Sequence, residues 1–251
     1  MICRLYTHTR FLWCLTGIAL LSTACGVYLH DEAAAQKDAK EQQPKAEVKT
    51  TKIGNNVFLE VEGDKRRVII KGIVCRRTDM LEQFLCRKMT KEHEAIVSAD
   101  VDAKHIHAAL LVAGAEPGSP IKFDDKGNIT PARGTKIKVF VEYEEKGKTK
   151  KVPAQQWVRN IKTKKELEYD WVFAGSFLIP NRIDEKAPPF YAANDGDVIC
   201  LANFDSALLD LPIASSKDND DLAFEAWTER IPPLETPVTV ILEPVLDKKK
   251  K

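Results

Sequence analysis

The sequence lacks an excess of charge of either sign. Its 251 residues include 38 Lys and Arg against 37 Asp and Glu, which gives a formal net charge of +1. Nucleic acids and anionic membrane surfaces attract proteins with a basic field, so this balance gives no reason to expect nucleic acid as a partner. Hydrophobic residues make up 44% of the chain, which is enough for a packed globular core.

Several short catalytic motifs are also missing. The chain contains no H-E-x-x-H, no G-x-S-x-G elbow and no glycine-rich phosphate loop. No two cysteines form a C-x-x-C pair, so an iron–sulfur cluster is not expected. Ser176 and the acidic residues after it are residue types found in hydrolytic triads, but no motif places them near a histidine. The sequence does not decide whether the protein is an enzyme. The missing motifs favour a noncatalytic protein.

A long uncharged run stands near the N-terminus. Arg4 and Arg10 precede residues 11–29, which hold no charged residue and are long enough to cross a bilayer core of roughly 30 Å. We therefore predict a signal peptide or membrane anchor over residues 1–35. Cleavage at Ala33–Ala35, lipid attachment at Cys25 and retention as an anchor all remain open. Each places the rest of the chain in the periplasm or outside the cell, either secreted or anchored.

Composition divides the remaining chain into three parts. Residues 36–50 are rich in Lys, Glu, Gln and Ala without an aromatic residue, which predicts a flexible linker. Residues 51–246 carry the patterns of one folded domain, and residues 247–251 form a basic tail. Membrane contact is expected only through the N-terminal segment, if it is uncleaved or lipidated.

Apolar periodicity within the domain predicts both strands and helices. Alternation and β-branched runs predict strands at 57–61, 67–74, 92–101, 136–144, 171–178, 198–204, 222–227 and 238–242. A capping box predicts a helix over 79–89, and Asp102 as N-cap predicts a helix over 103–113. Pro153, at a first helical position, predicts a short helix to 160. The predicted fold is a single α+β domain with a mixed or mostly antiparallel sheet and two to three short helices.

Several local sequences resemble the YdjY-type domain. The segments that carry the resemblance are Lys91-Glu92-His93-Glu94-Ala95, the run at 107–111, and Gly114 with Pro117-Gly118. Further runs at 170–176, 203–212 and 231–239 are similar to the planctomycete form of this family of exported bacterial proteins. The resemblance covers residues 55 to 245 and implies one extracytoplasmic domain, but no established activity.

A metal site is the sharpest chemical hypothesis. Imidazole and carboxylate groups are ligands for zinc or copper, and the candidate set is His93, Glu94, His107 and Glu82. His105 and His107 point about 200° apart on a helix, so only one of them can join His93. His107 is preferred because the family resemblance includes it. The competing interpretation, which we favour, is that His93 and His107 hydrogen-bond carboxylates or backbone where strand and helix meet.

The domain contains three cysteines, Cys75, Cys86 and Cys200. Export favours oxidation, and a Cys75–Cys86 disulfide would close a short loop and contribute on the order of 3 kcal/mol. The sequence leaves the bonded and free states open. Cys200 lies in an apolar run and is predicted to be a small buried residue.

These observations favour a noncatalytic cell-envelope module that binds an envelope protein or a small ligand. The segment from His93 to Gly118 is expected to form one wall of its site. The alternative is a periplasmic protein that binds zinc or copper through His93 and His107. A thiol redox role is a third, minor hypothesis.

Overall fold

β-Strands make up 45% of the structure and helices 9%. The computed structural model describes residues 47–126, 128–184, 186–215 and 223–246. The predicted export signal, nearly all of the predicted linker and the basic tail lie outside these residues. Within them, no helix is both long and apolar enough to span a membrane.

The strands are short and numerous. In chain order they are β1 (Val48–Gly54), β2 (Val57–Glu62), β3 (Lys65–Val74), β4 (Met80–Leu81), β5 (Gln83–Arg87), β6 (Ala95–Ala99), β7 (Pro117–Ser119), β8 (Lys122–Phe123), β9 (Ile129–Thr130), β10 (Arg133–Gly134), β11 (Lys136–Glu145), β12 (Lys148–Pro153), β13 (Val158–Asn160), β14 (Trp171–Phe173), β15 (Leu178–Ile179), β16 (Phe190–Tyr191), β17 (Ile199–Cys200), β18 (Leu209–Asp210), β19 (Phe224–Ala226) and β20 (Pro237–Pro244). The helices are α1 (Ala103–Val112) and two 3-10 turns, Ala154–Trp157 and Ala192–Asp195.

Eight of these strands close into a barrel. Their order is β3, β20, β11, β14, β18, β17, β5 and β6, and β6 pairs back onto β3. Neighbours are antiparallel except β17 with β18 and β5 with β6, which are parallel. Strands β1 and β2 extend the sheet from β3, and β12 pairs with β11. The α+β prediction is therefore wrong: the domain is mostly β, and its main sheet closes on itself.

Strand β11 shows why these sequences form barrel walls. Ile137, Val139, Val141 and Tyr143 are buried, whereas Lys136 and Lys138 between them are exposed. A period of two places alternate side chains on opposite faces, so one face enters the core and the other meets water. This strand, the opening hairpin of β2 and β3, and the last strand β20 confirm the sequence predictions. The predicted strands at 171–178, 198–204 and 222–227 are shorter in the structure, and residue 222 lies outside the described part.

The single α-helix of the described residues also confirms its prediction. It begins at Ala103, after Asp102, and buries Ile106, Ala109 and Leu110. These residues recur at helical spacing, which creates one apolar face. The helix packs against β1, β2 and β3.

The start of helix α1 depends on a reciprocal pair of side chains. Asp102 Oδ1 accepts hydrogen bonds from Lys104 N (2.9 Å) and Asn194 Nδ2 (3.0 Å). Asn194 Oδ1 in turn accepts one from Ala103 N (2.8 Å). These bonds hold the pKa of Asp102 below its usual value, although burial of the carboxyl opposes them.

Replacing Asp102 by Ala is expected to lower the free energy of unfolding by about 1 kcal/mol, because an N-cap acceptor is lost. Asp102→Asn keeps that acceptor and should cost only a few tenths of a kcal/mol, as roughly expected between good capping residues. Urea denaturation followed by circular dichroism measures both. Equal losses in the two variants would show that the cap itself contributes nothing.

Two predicted helices are absent. Residues 79–89 form β4 and β5 instead, and the side chains of 83–86 are all buried, as in a wall covered on both faces. Asp79 cannot begin a helix here because its φ is +71°, and its carboxylate accepts from Arg76 and Thr78 rather than capping. The predicted helix from Pro153 is only one 3-10 turn, followed by β13.

Candidate functional site

A pocket of about 290 Å³ opens where β4 and β5 meet the loop before β6. Its polar lining residues are Arg76, Asp79, Glu82, His93 and Glu94, and its apolar lining residues are Met80, Leu81, Leu201, Ala202, Ala223 and Phe224. We call it the acidic pocket. Three of the four predicted metal ligands, Glu82, His93 and Glu94, therefore lie together.

Backbone hydrogen bonds bring the two glutamates side by side. The N–H groups of Glu82 and Gln83 both donate to Glu94 O, at 3.0 and 3.1 Å. Glu82 O accepts from the N–H groups of Leu201 and Ala202, at 2.8 and 3.0 Å. Glu82 therefore connects the loop before β6 to the end of β17, and its carboxyl group lies close enough to affect the pKa of Glu94.

The carboxyl group of Glu94 is electrostatically unusual. Burial raises its pKa, and the neighbouring Glu82 carboxylate raises it further, while His93 and Lys91 act in the opposite direction. His93 Nε2 lies 3.7 Å from Glu94 Oε2, with 73% of the His93 side chain exposed. The negative charge of one carboxylate disfavours ionisation of a carboxyl group beside it. A cation bound next to Glu94 would offset this repulsion.

Arg76 pairs with Asp79 at the rim of the acidic pocket. Arg76 Nη2 donates to Asp79 Oδ2 at 2.6 Å, and Arg76 Nε donates to Thr78 O at 3.0 Å. The other two carboxyl groups that line the pocket are those of Glu82 and Glu94.

A buried ion pair holds the loop that carries His93 and Glu94. Lys91 Nζ donates to Asp197 Oδ1 at 2.8 Å and lies 4.2 Å from the centroid of the Phe204 ring. Asp197, only 3% exposed, also accepts from Gln83 Nε2 at 3.1 Å. The lysine of the Lys91–Ala95 segment therefore positions this loop, and does not itself line the pocket.

The fourth predicted ligand, His107, lies elsewhere. Its Nδ1 is 2.7 Å from the Tyr191 hydroxyl, which donates to Gly175 O at 2.8 Å. Because the hydroxyl hydrogen is used on Gly175, this hydrogen-bond pattern assigns the proton of neutral His107 to Nδ1. Burial lowers the pKa of His107, and the contact with Gly175 O opposes this effect.

His105 is separated from both other histidines. Its ring packs against β1 so closely that a Cβ on Gly54 would lie 2.1 Å from His105 Nδ1. His93 itself precedes β6, which begins at Ala95 and not at residue 92 as predicted. Among residues 47–246, apart from those at 127, 185 and 216–222, no three His, Cys, Asp or Glu side chains come together as a metal site.

The three domain cysteines are free thiols. Cys75 N donates to Ile96 O on one side of β6, whereas Cys86 pairs with Ser98 on its other side. The two thiols nevertheless interact, and the contact with Cys86 lowers the pKa of the Cys75 thiol. The Cys75–Cys86 disulfide is not formed in this structure and stays a prediction. Cys200 is fully buried, and burial raises the pKa of its thiol.

Sequence reasoning missed Arg76, Asp79 and the apolar wall of the pocket. Asp79 was assigned to a helix cap, although the Thr78-Asp79 pair is equally typical of a turn. Phe224 and Leu201 lie far along the chain from Glu82, so no local pattern indicates that they share a pocket.

Comparisons with known proteins identify the family. The YdjY domain model matches residues 59–243, which include every residue that lines the acidic pocket. Neither the curated proteins nor the solved structures yield a match. With most of its length matched, the chain belongs to the YdjY domain family.

Proposed function

We propose that this YdjY domain is a noncatalytic binding module of the cell envelope. Its ligand is a small molecule with a cationic ammonium or guanidinium group beside an apolar portion. It acts in the periplasm or outside the cell, released or held by its N-terminal segment. The observation that carries this proposal is that Glu82 and Glu94 lie side by side in a pocket with apolar walls.

The chemistry of the acidic pocket supports a cationic ligand. An ammonium bound beside the two carboxylates forms charge-assisted hydrogen bonds to them, which are stronger than neutral ones. Phe224 and Leu201 are almost fully buried beneath the opening, so an apolar group packs there without displacing a polar contact. The volume of about 290 Å³ suits a small molecule.

Calorimetry with phenethylamine tests this proposal, and 2-phenylethanol serves as the uncharged control ligand. The amine is expected to bind and the alcohol is not. Glu94→Gln should weaken amine binding roughly tenfold, or by about 1.4 kcal/mol, because one charged acceptor is removed. Glu243→Gln, a matched change on β20 outside the pocket, should leave the affinity unchanged.

The pH dependence provides a second readout. Glu94 has a raised pKa, so its proton competes with the amine in acid, and the affinity should rise as the pH increases from about 4 to about 8. Equal binding of amine and alcohol, or an amine affinity unaffected by both Glu94→Gln and pH, would contradict the proposal.

A metal-binding role is the second candidate, favoured by the shared location of Glu82, His93 and Glu94. The sequence predicts a site that combines His93 with His107. In the structure His93 lies beside Glu94, whereas the His107 ring contacts the Tyr191 hydroxyl. Titration with Zn²⁺ or Cu²⁺ distinguishes the candidates. Stoichiometric binding that His93→Ala abolishes, without amine binding by the parent chain, would favour the metal.

A further inference from the structure

A second feature of the chain is a protruding hairpin that exposes apolar side chains. Strands β15 and β16 pair through Leu178 with Tyr191 and Ile179 with Phe190. We call this the apolar hairpin, defined by its exposed apolar residues Phe177, Leu178, Ile179, Ile183 and Phe190. Ile183, near the tip, is 100% exposed. Clustered exposed apolar residues of this kind are typical of interaction surfaces.

Both faces of this hairpin expose apolar side chains at its outer end. Successive strand residues point to opposite faces, yet Leu178 is 55% exposed and Ile179 is 39% exposed. A flat protein surface would cover only one of these faces. A lipid environment surrounds both faces and the tip together.

Four N–H groups of the described tip residues have acceptors within the tip. Asn181 Oδ1 accepts from the N–H groups of Ile183 (2.9 Å) and Asp184 (3.0 Å). Asp184 Oδ1 accepts from Lys186 N at 2.9 Å, and Asp184 O accepts from Ala187 N at 3.0 Å. Segments that enter a bilayer must bond their own N–H groups, because lipid chains offer no acceptors.

The base of the hairpin is fixed to the barrel. Ala192 N donates to Phe177 O at 2.9 Å, which joins the two strands at their domain end. Tyr191 is buried, and its hydroxyl bonds Gly175 O and His107. His107 thus helps hold the hairpin, and the apolar residues beyond Tyr191 are presented on a supported base.

We infer that the apolar hairpin inserts into the interfacial region of a phospholipid bilayer. The predicted N-terminal segment at 11–29 would hold the domain near such a surface, because only residues 30–47 separate it from β1. The inference is independent of the acidic pocket and adds a second contact to the N-terminal one.

Apolar burial, not charge, drives this insertion. Residues 177–190 include two basic and two acidic side chains, so the segment carries no net charge. Binding should therefore occur on uncharged phosphatidylcholine and should persist in high salt, unlike the binding of a basic surface.

Fluorescence of the full chain in phosphatidylcholine vesicles tests the inference. Ile183→Trp adds an indole at the tip, and Phe123→Trp adds one on the hairpin of β8 and β9, where Phe123 is 64% exposed. The unsubstituted chain supplies the background of its four native Trp. With bromine-labelled acyl chains, emission from the Ile183→Trp indole should fall roughly twofold, as expected for interfacial depth, and emission from Phe123→Trp should not.

Vesicle flotation of the same samples identifies the lipid-bound fraction. Floating protein with equal, unquenched emission from both indoles would overturn the inference, and so would a full chain that fails to float. Sedimentation without lipid tests whether a second copy of the chain binds the hairpin. A dimer of the parent chain that Ile183→Asp dissociates would assign the hairpin to self-association and overturn lipid insertion.

Discussion

Replacing Asp197 by Ala is expected to lower the free energy of unfolding by about 3–5 kcal/mol, the range for breaking a buried ion pair from one side. The carboxylate accepts hydrogen bonds from Lys91 Nζ, Gln83 Nε2 and Ser206 Oγ. Without it, the partly buried Lys91 ammonium and the fully buried Gln83 amide lose their charged acceptor. The loss of these bonds, not the removal of volume, accounts for the size of the effect.

Guanidinium denaturation measures this change, with Lys151→Ala as control. Lys151 Nζ forms an ion pair with Glu243 Oε1 at 2.9 Å, and both side chains are about one-third exposed. Because exposed pairs contribute little, the control should lose less than about 1 kcal/mol. Similar losses in the two variants would show that burial does not strengthen the Asp197 network.

The Asp197→Ala variant also tests how the pocket is built. Lys91 precedes His93 and Glu94, so the loss of its partner should release the loop that carries them. We expect phenethylamine binding to weaken in this variant under conditions where circular dichroism still shows a folded chain.

Replacing Asp210 by Asn should remove a large pH dependence of stability. Asp210 is fully buried, and burial raises its pKa to about 7, although hydrogen bonds from Asn203 Nδ2 and Leu211 N oppose this. Its Oδ2 has no hydrogen-bond partner among the residues that the structure describes. The folded protein therefore keeps this proton at pH values where the unfolded chain, with an ordinary Asp, releases it.

The direction of the effect follows from this difference in proton binding. The stability that the Asp210 proton contributes is fully present below about pH 4 and is lost as the pH rises to about 7. From about pH 4 to about pH 8 the parent chain should lose stability relative to Asp210→Asn by on the order of 4 kcal/mol.

Urea denaturation at several pH values measures the difference between the two proteins. Asp205→Asn, at an exposed position in the same part of the chain, controls for removal of one negative charge. A difference between the parent chain and Asp210→Asn that stays constant over this range would contradict an ionisable, protonated Asp210.

The fold was predictable where one pattern governs a whole element. Residues of β11 alternate between core and water over the entire strand, and Asp102 starts a helix whose apolar stripe follows at once. The helix predicted over residues 79–89 was wrong because both faces of β5 are buried. Apolar spacing there does not distinguish a strand from a helix. Barrel closure depends on pairings such as Ile73 with Ser98, and no local pattern encodes them.

The candidate site was predicted in part. His93, Glu94 and Glu82 were selected as ligand types, and the fold brings them together because Glu82 N–H bonds Glu94 O. His107 was included in the predicted ligand set because the family resemblance contains it. In the structure its ring contacts the Tyr191 hydroxyl instead. The Lys91–Asp197 pair links positions 106 residues apart, which sequence spacing does not indicate.

The pH titration of the Glu94 side-chain carboxyl, followed by carbon-13 NMR, tests the central claim most directly. In the free protein its midpoint should lie above the ordinary glutamate value, because burial and Glu82 disfavour its ionisation. Saturating phenethylamine should lower that midpoint, since a neighbouring positive charge favours the ionised form of the carboxyl group. An ordinary midpoint that the amine leaves unchanged would contradict a cation-binding carboxyl pair.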